Sequence, residues 1–572
     1  MASKLELTWY GKEKQISVEP RLLIEHPELS NTAAEPDTEN MLIHGDNLLA
    51  LKALESDYAG QVKCIYIDPP FNTGQAFEHY DDKLEHSIWL NLMYGRFQCL
   101  YTLLESNGMF WIHLDDIEVH YCKVLLDEIF SRHNFVAHIT YERSAVAGLG
   151  QGGYLVNTTE HILLYRKGTL PNKVNLSYEE LGFNIIKRYN RYVVDFGSRK
   201  LVKSFKARSN GEIVNVYEHS GVVIETISLR ESKKRESEIR TAFAEHIETL
   251  FRGNRVQKEN EFQNDIISEL DKDKFYSVDY IPSRGKNKDL LTTLYYYNCE
   301  LLSWLKDTTS LTDGMLTKSQ KMTTLWKHGE IPKADIANEG GVYFPRSKKP
   351  EQLIKRIIEM STDPGDLVLD SFLGSGTTAA VAHKMGRRYI GIEMGNHAYT
   401  HCKKRLDMVI SGEDKGGISK AVNWQGGGGY RFYELAPTLI NTDEFGEYII
   451  NPEYSADMLA AAMALHEGYT YSPDKTFFWK QSFGSEKSFL FVTTRHLNSA
   501  FMDSISGSME EDEYLVIACC SYDKEIEKTN PHITVKKIPQ MLLERCEFDK
   551  ADYNLNIIHP PVCEDEEEQD EE

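Results

Sequence analysis

Residues 367–382 read LVLDSFLGSGTTAAVA. A short apolar run ends at an acid, passes through a glycine-bearing turn and continues into small helix formers. That order predicts strand, turn and helix, the context in which a glycine-rich match deserves attention. Gly374 and Gly376 permit positive φ and close backbone approach. The helix beginning near Thr377 points its first N–H groups at whatever occupies the turn. The stretch is not a phosphate-binding P-loop, because no Gly-Lys-Ser/Thr follows, and it lacks the full GxGxxG dinucleotide pattern. The next apolar run, RRYIGIE, ends at Glu393. An acid about 20 residues beyond such a turn suits a pair of ribose hydroxyls. A solvated strand-end acid is the competing reading of Glu393.

The same grammar extends in both directions. KKPEQLIKRIIEMS reads as a helix before the turn, and a further helix follows around 396–410. Far upstream, MLIHGD, NLLALKALES and QVKCIYID read as strand, helix and strand. A helix over 85–106, closed by Asn107–Gly108, then leads into the strand MFWIHLD, a helix over 117–130 and the strand FVAHITYER. This alternation predicts an α/β fold with a mostly parallel sheet. The alternation stops at GLGQGGYL and resumes near 341, so one α/β domain is split by an insertion. The expected order is an arm over 1–40, a first half over 41–147, the insertion over 148–340 and a second half over 341–422. A smaller C-terminal α/β domain over 423–560 follows, then an acidic tail over 561–572.

A second stretch, IYIDPPFNTG at 65–74, ends its strand with a carboxylate, two prolines and an aromatic. Proline fixes φ and removes a donor, so a plain turn explains it. A rigid site explains it equally, with the Asp68 side chain and a proline carbonyl held as acceptors.

The totals bound the class. A chain of 572 residues has room for about three or four domains. No apolar run is long enough to span a membrane, and the N-terminus has no secretory pattern. Nine cysteines without CxxC spacing suggest reduced thiols in a cytoplasm and no metal site. The net charge of −23 is unexpected for a nucleic-acid binder, but Glu564–Glu572 alone holds eight acids. Local charge therefore matters more than the total.

Taken together, DPPF on one strand end, DSFLGSGTT on another and GIE on a third resemble the beta-class amino-group DNA methyltransferases. HGDNLLALKAL before the first motif and KKPEQLIKRII before the second match the same class. The order and the long insertion look most like the modification subunit of a type III restriction-modification system. The resemblance implies a Rossmann-like sheet that uses S-adenosylmethionine to methylate adenine N6 in double-stranded DNA, after flipping the base out. It implies that Asp68 and Pro69 accept the amino group, Pro70 stiffens the turn, and Phe71 stacks the base. Tyr141 is the candidate for the other stacking face, against the reading of an ordinary packed tyrosine. Asp370, Phe372, Gly374, Gly376 and Thr377 would surround the methionine part of the cofactor and Glu393 the ribose. Asp46 would touch the cofactor adenine, or cap the helix after it, or both. Lys349 reads more as a solvated lysine than as a neighbour of the cofactor.

The insertion carries KRYNRYVVDFGSRKLVKSFKAR at 187–208, with eight basic residues and one acid. Lys187, Arg188, Arg191, Arg199, Lys200, Lys203, Lys206 and Arg208 form a basic stripe interleaved with aromatics, read as a phosphate-gripping surface because it lies in the insertion, against the reading of a solvated strand face with core aromatics. The C-terminal region shows no nucleotide loop or nuclease signature. The resemblance therefore implies a homodimer and a separate ATP-dependent helicase–endonuclease subunit as partners. Four readings compete with adenine methylation of DNA: cytosine-N4 methylation, RNA as the substrate, which the beta-class motif order counts against, a catalytically silent specificity subunit, and a nicotinamide oxidoreductase. Asp68 at the first tetrad position favours adenine within the family, and the oxidoreductase leaves DPPF unexplained.

Overall fold

The computed structural model describes residues 6–548 apart from 14–16, 72–85, 144–155, 169–176, 208–210, 233, 256–259, 284–286, 313–314, 321, 332–335, 345–347, 529, 544 and 547. The Gly-rich boundary at 148–155, Arg208 and the acidic tail thus lie outside the described residues. The chain divides into two compact units, Met1–Asn175 with Thr323–Glu572, and Leu176–Met322.

The larger unit is built on a ten-stranded sheet. Its strands in chain order are β1 (Leu23–Glu25), β2 (Met41–His44), β3 (Val62–Ile67), β4 (Leu104–Leu114), β5 (Phe135–Glu142) and β6 (Thr159–Arg166). After the insertion come β7 (Leu325–Trp326), β8 (Leu367–Asp370), β9 (Arg388–Glu393) and β10 (Arg431–Leu435). The spatial order is β1-β10-β2-β9-β8-β3-β4-β6-β5-β7. From β10 to β4 every pairing is parallel, while β6 pairs antiparallel with β4 and β5. The central strands are apolar almost throughout because helices cover both faces of a parallel sheet. The covering helices are α1 (Asn47–Tyr58), α2 (His86–Leu103), α3 (Val119–Phe130), α4 (Glu351–Ser361), α5 (Thr377–Lys384) and α6 (Lys404–Ser411). A single core joins Leu48, Leu51, Ile65, Ile67, Trp89, Phe97, Leu369 and Ile392 across both sequence halves.

Three boundaries differ from the sequence expectation. Asn107–Gly108 does not close α2; the helix ends at Leu103 and β4 runs straight through the pair. The register slips there, from Val62 opposite Leu104 to Cys64 opposite Met109. The turn signal marks a bulge, where Gly108 leaves room that a Cβ would fill against the Val62 carbonyl at 2.9 Å. The N-terminal arm is part of the fold, since β1 pairs with β10. The sheet also runs past the expected boundary at 423, because β10 lies parallel to β2. Short strands with mixed polarity at a sheet edge leave little period to read.

Beyond β10, a five-stranded sheet is built around the parallel strands Ser488–Thr493, Tyr514–Cys519 and Ile533–Lys537. The unit Leu176–Met322 carries an eight-stranded sheet whose pairings are antiparallel and a three-stranded one. Antiparallel strands need no helical crossover, so the α/β alternation stops where this unit begins.

Candidate active site

The carboxyl ends of β2, β3, β8 and β9 open on one cleft of about 590 Å³. Its walls include Asp46, Pro70, Arg96, Ser371, Phe372 and Glu393. Open α/β sheets bind ligands at such strand ends, and this volume suits a ligand of nucleoside size.

The glycine turn is held by the residues around it. Gly374 has φ 56° and Gly376 φ 79°, the left-handed region where a side chain is strained. A Cβ on Gly376 would also stand 3.1 Å from the Cys402 Cα. Glu393, only 2% exposed, accepts the Gly374 N–H at 2.7 Å and the Gly395 N–H at 2.9 Å. Asp370 is buried; it accepts the Phe372 N–H at 2.9 Å and the Thr378 hydroxyl. Burial pushes Asp370 up to about 7 against those hydrogen bonds, with the carboxylates of Asp68 and Glu393 adding to the rise. The Asp370 side chain therefore braces the turn and does not line the cleft. Thr377 is likewise turned inward, where its hydroxyl accepts from Arg405 at 2.7 Å. Of the expected cofactor-facing set, Asp46, Phe372 and Glu393 line the cleft, and the two glycines shape it.

Asp46 is a helix cap: one oxygen accepts the Leu48 and Leu49 N–H groups at 2.9 and 3.1 Å. Its other oxygen pairs with Arg96 at 3.0 Å. Arg96 is buried and also donates to the Leu92 carbonyl and the Asn47 side chain.

At the end of β3, the indole N–H of buried Trp89 donates to the Pro70 carbonyl at 2.8 Å. This clamp from α2 fixes the second proline. Asp68, expected as an acceptor, lies 3.2 Å from the Lys349 ammonium. Lys349 is not a solvated lysine: its side chain is 10% exposed, and it also lies 3.4 Å from Glu160 and 4.7 Å from the Phe71 ring. Glu160 in turn accepts from His113 at 2.7 Å, and the other His113 nitrogen meets the Tyr66 hydroxyl at 3.2 Å. Burial lowers Lys349, but Asp68 and Glu160 outweigh it and hold the ammonium above its ordinary value. Burial likewise opposes ionisation of Glu160, yet Lys349 and His113 keep it well below the usual carboxylate range.

Phe71 stacks on His113, with ring centres 6.2 Å apart and planes 30° from parallel. Tyr141 does not offer a second stacking face. It is 1% exposed and meets His113 edge-on at 5.7 Å, packed into the sheet as an interior β-strand residue. Sequence reasoning weighed Lys349 and favoured a solvated side chain, and it missed Glu160, His113, Trp89 and Arg96. A lysine, a glutamate and a histidine separated by tens of residues carry no local spacing signal.

In the insertion, the strand Ser198–Lys206 is exposed along nearly its whole length at one edge of the eight-stranded sheet. Lys200 and Lys206 are exposed on it, and Arg188 is exposed just upstream. Three other members of the stripe have partners within the same unit, although Arg199 and Lys203 are also exposed. Arg199 pairs with Asp279 at 2.6 Å, Lys203 with Glu269 at 2.5 Å, and Arg191 packs 5.7 Å from the Phe251 ring centre. Lys187 lies over Phe183 at 4.5 Å.

The sheet thus brings the DPPF turn, the glycine turn and a strand-end glutamate to one cleft of nucleotide scale. A family model described as DNA methylase matches residues 62–404, more than half of the chain, and the chain belongs to that family. It is 38% identical over 421 residues to the "Probable type III restriction-modification enzyme HindVI Mod subunit" of Haemophilus influenzae, covering 70% of this chain and 54% of that protein. It is 25% identical over 424 residues to the type III StyLTI Mod subunit of Salmonella typhimurium, covering 66% and 56%. It is 26% identical over 387 residues to the type II methyltransferase M.EcaI of Enterobacter cloacae, covering 64% and 69%. The chain spans little more than half the length of the two type III relatives. Among the described residues no helix is long and apolar enough to cross a membrane.

Proposed function

We propose that the chain is the modification subunit of a type III restriction-modification system and methylates adenine N6 in double-stranded DNA. The observation that carries this reading is the shared cleft: Pro70 of the DPPF turn lines the same walls as Phe372 and Glu393. The cleft fits S-adenosylmethionine in size and in its donor set, a buried carboxylate at one end and an aromatic beside the glycine turn. When bound, that cofactor supplies an electrophilic sulfonium methyl group.

The residues of the chain do the rest. Asp68 and the Pro69 carbonyl accept the two N–H bonds of the target amino group, whose lone pair is otherwise delocalised into the ring. Acceptors fixed in advance stabilise the positive charge that grows on nitrogen, without reorganising as it grows. The Trp89 clamp on Pro70 keeps the pair from relaxing. Phe71 stacks the flipped base. Glu393 takes the ribose hydroxyls, while Asp370 and Thr377 act indirectly by holding the turn. Asp46 holds the start of α1 at the adenine end of the cleft. The exposed Arg188, Lys200 and Lys206 grip phosphates, and Arg208 extends the same stripe in sequence. A homodimer and a helicase–endonuclease partner belong to this reading, as does a cytoplasmic location.

The test is transfer of a labelled methyl group to DNA free of adenine methylation, followed by digestion to nucleosides. Label in N6-methyladenosine that vanishes in Asp68→Ala supports the reading. Label in N4-methylcytosine moves the activity to the other base. Cofactor binding without transfer, in the presence of target DNA, overturns it in favour of a specificity subunit.

A further inference from the structure

Asp68 is the proposed acceptor for the incoming amino group, yet here it already faces a donor. The Lys349 ammonium is 3.2 Å from Asp68 and 3.4 Å from Glu160, so one buried cation bridges two carboxylates on different strands. Removing a charge from such a pair is costly unless another partner takes over. Glu160 is that second partner, and it is fixed in place by His113 at 2.7 Å and by Arg143 at 3.6 Å.

Resting on the proposed methyl transfer, we infer that Lys349 is a positioning residue that stands in for the target amino group. In this structure its ammonium occupies the donor side of Asp68. When the base enters, the exocyclic amino group takes over that oxygen and the ammonium leans to Glu160. The movement is a shift between two acceptors both already within 3.4 Å, so the cation is never left alone in the interior. A second consequence is electrostatic. A cation within about 4 Å favours the ionised form of a carboxylate, commonly by 1–3 pH units. Several groups face Asp68 or its pair: Tyr66 on β3, His113 on β4, Tyr141 on β5, Glu160 on β6, Asp370 on β8, and Arg143 just past β5. The Glu160 carboxylate opposes an ionised Asp68, and Lys349 is the cation set directly against it. The Phe71 ring, 4.7 Å from the same ammonium, ties the stacking face to this arrangement.

The experiment is methyl transfer by the full chain on target DNA across pH 5–9, read both as single-turnover rate and as steady-state KM and kcat, with S-adenosylmethionine affinity measured alongside. In Lys349→Met the acid limb of the rate profile moves up by about one pH unit or more. Lys349→Arg returns it toward the wild-type position. In Glu160→Gln the lysine's alternative acceptor loses its charge, so the ammonium stays on Asp68 and competes with the base. KM for DNA then rises by about fivefold or more and kcat falls, while the acid limb does not move up. A lysine that merely packs the site lowers the rate at all pH values alike. An unmoved acid limb in Lys349→Met that still binds cofactor overturns the inference. So does a Glu160→Gln chain with wild-type KM for DNA, which decides the matter even if Lys349→Met does not fold. A wild-type chain that transfers no methyl group refutes the functional reading instead, and the two failures are thereby distinct.

Discussion

Replacing Asp46 separates two jobs that one side chain performs. Asp46→Ala removes the cap on the Leu48 and Leu49 N–H groups and the carboxylate that faces Arg96. The cap is worth about 1 kcal/mol. The guanidinium of Arg96 is 4% exposed, and stripping a buried cation of its carboxylate costs about 3–5 kcal/mol. Asp46 itself is 20% exposed at the cleft, which screens the pair and brings that share down to roughly 2–3 kcal/mol. The alanine variant is therefore expected to lose about 3–4 kcal/mol in all. Asp46→Asn keeps an equally good cap and loses only the charge, for about 2–3 kcal/mol. Urea unfolding followed by tryptophan fluorescence reports on this region, because Trp89 lies on the same helix as Arg96. Arg96→Met closes a double-mutant cycle, and the coupling energy isolates the pair. If the asparagine variant unfolds with the wild type, the pair contributes nothing. If alanine and asparagine coincide, the cap does not hold α1. Either result refutes the accounting.

Four other expectations follow from particular contacts. Trp89→Phe loses the hydrogen bond to Pro70, about 1 kcal/mol, and methyl transfer slows by about tenfold with cofactor affinity retained in a binding titration. Gly374→Ala meets nothing nearer than the Phe372 carbonyl at 4.0 Å, so it costs the left-handed strain of about 1–2 kcal/mol, whereas Gly376→Ala adds a tight 3.1 Å contact with the Cys402 Cα and unfolds at lower urea. The folded chain keeps a proton on Asp370 up to about 7, while the unfolded chain releases it near the ordinary aspartate value. This group's contribution is thus complete at low pH and falls as pH rises toward 7, and Asp370→Asn should remove that downward slope from the urea midpoints. Replacing Lys200 and Lys206 with alanine should weaken DNA binding on all sequences alike and reduce the salt slope by up to about two, read by fluorescence anisotropy across a salt series.

Much of the fold was legible because parallel strands must be apolar on both faces and their helices must be amphipathic. The motif residues were legible for a different reason: prolines and glycines constrain the backbone locally, so DPPF and GSG announce themselves in a few letters. The partners of those residues were not. Whether Lys349 is solvated or buried depends on Glu160 and Asp68 arriving from two other strands. Tyr141 shows the opposite error, since an aromatic at a strand end gives no sign of which way it packs. Thr377 and Asp370 had the right neighbourhood but the wrong direction, because a turn motif says where the backbone goes and not which side chains brace it. The arm at 1–40 carried no period because a three-residue edge strand is too short to have one.

The buried cluster behind the glycine turn has a consequence for how the site is lost. Glu351 sits two positions after Lys349 and holds both Lys384, 2.8 Å away, and Arg405, 2.8 Å away. Arg405 in turn donates to the Ser375 carbonyl at 3.2 Å and to Thr377. One carboxylate is thus the keystone between the start of α4, where Lys349 emerges, and the turn that shapes the cleft. The cluster has no solvent to take over its charges, so it cannot fray one contact at a time. Heating or mutation that dislodges Glu351 therefore loosens the start of α4 and the glycine turn together.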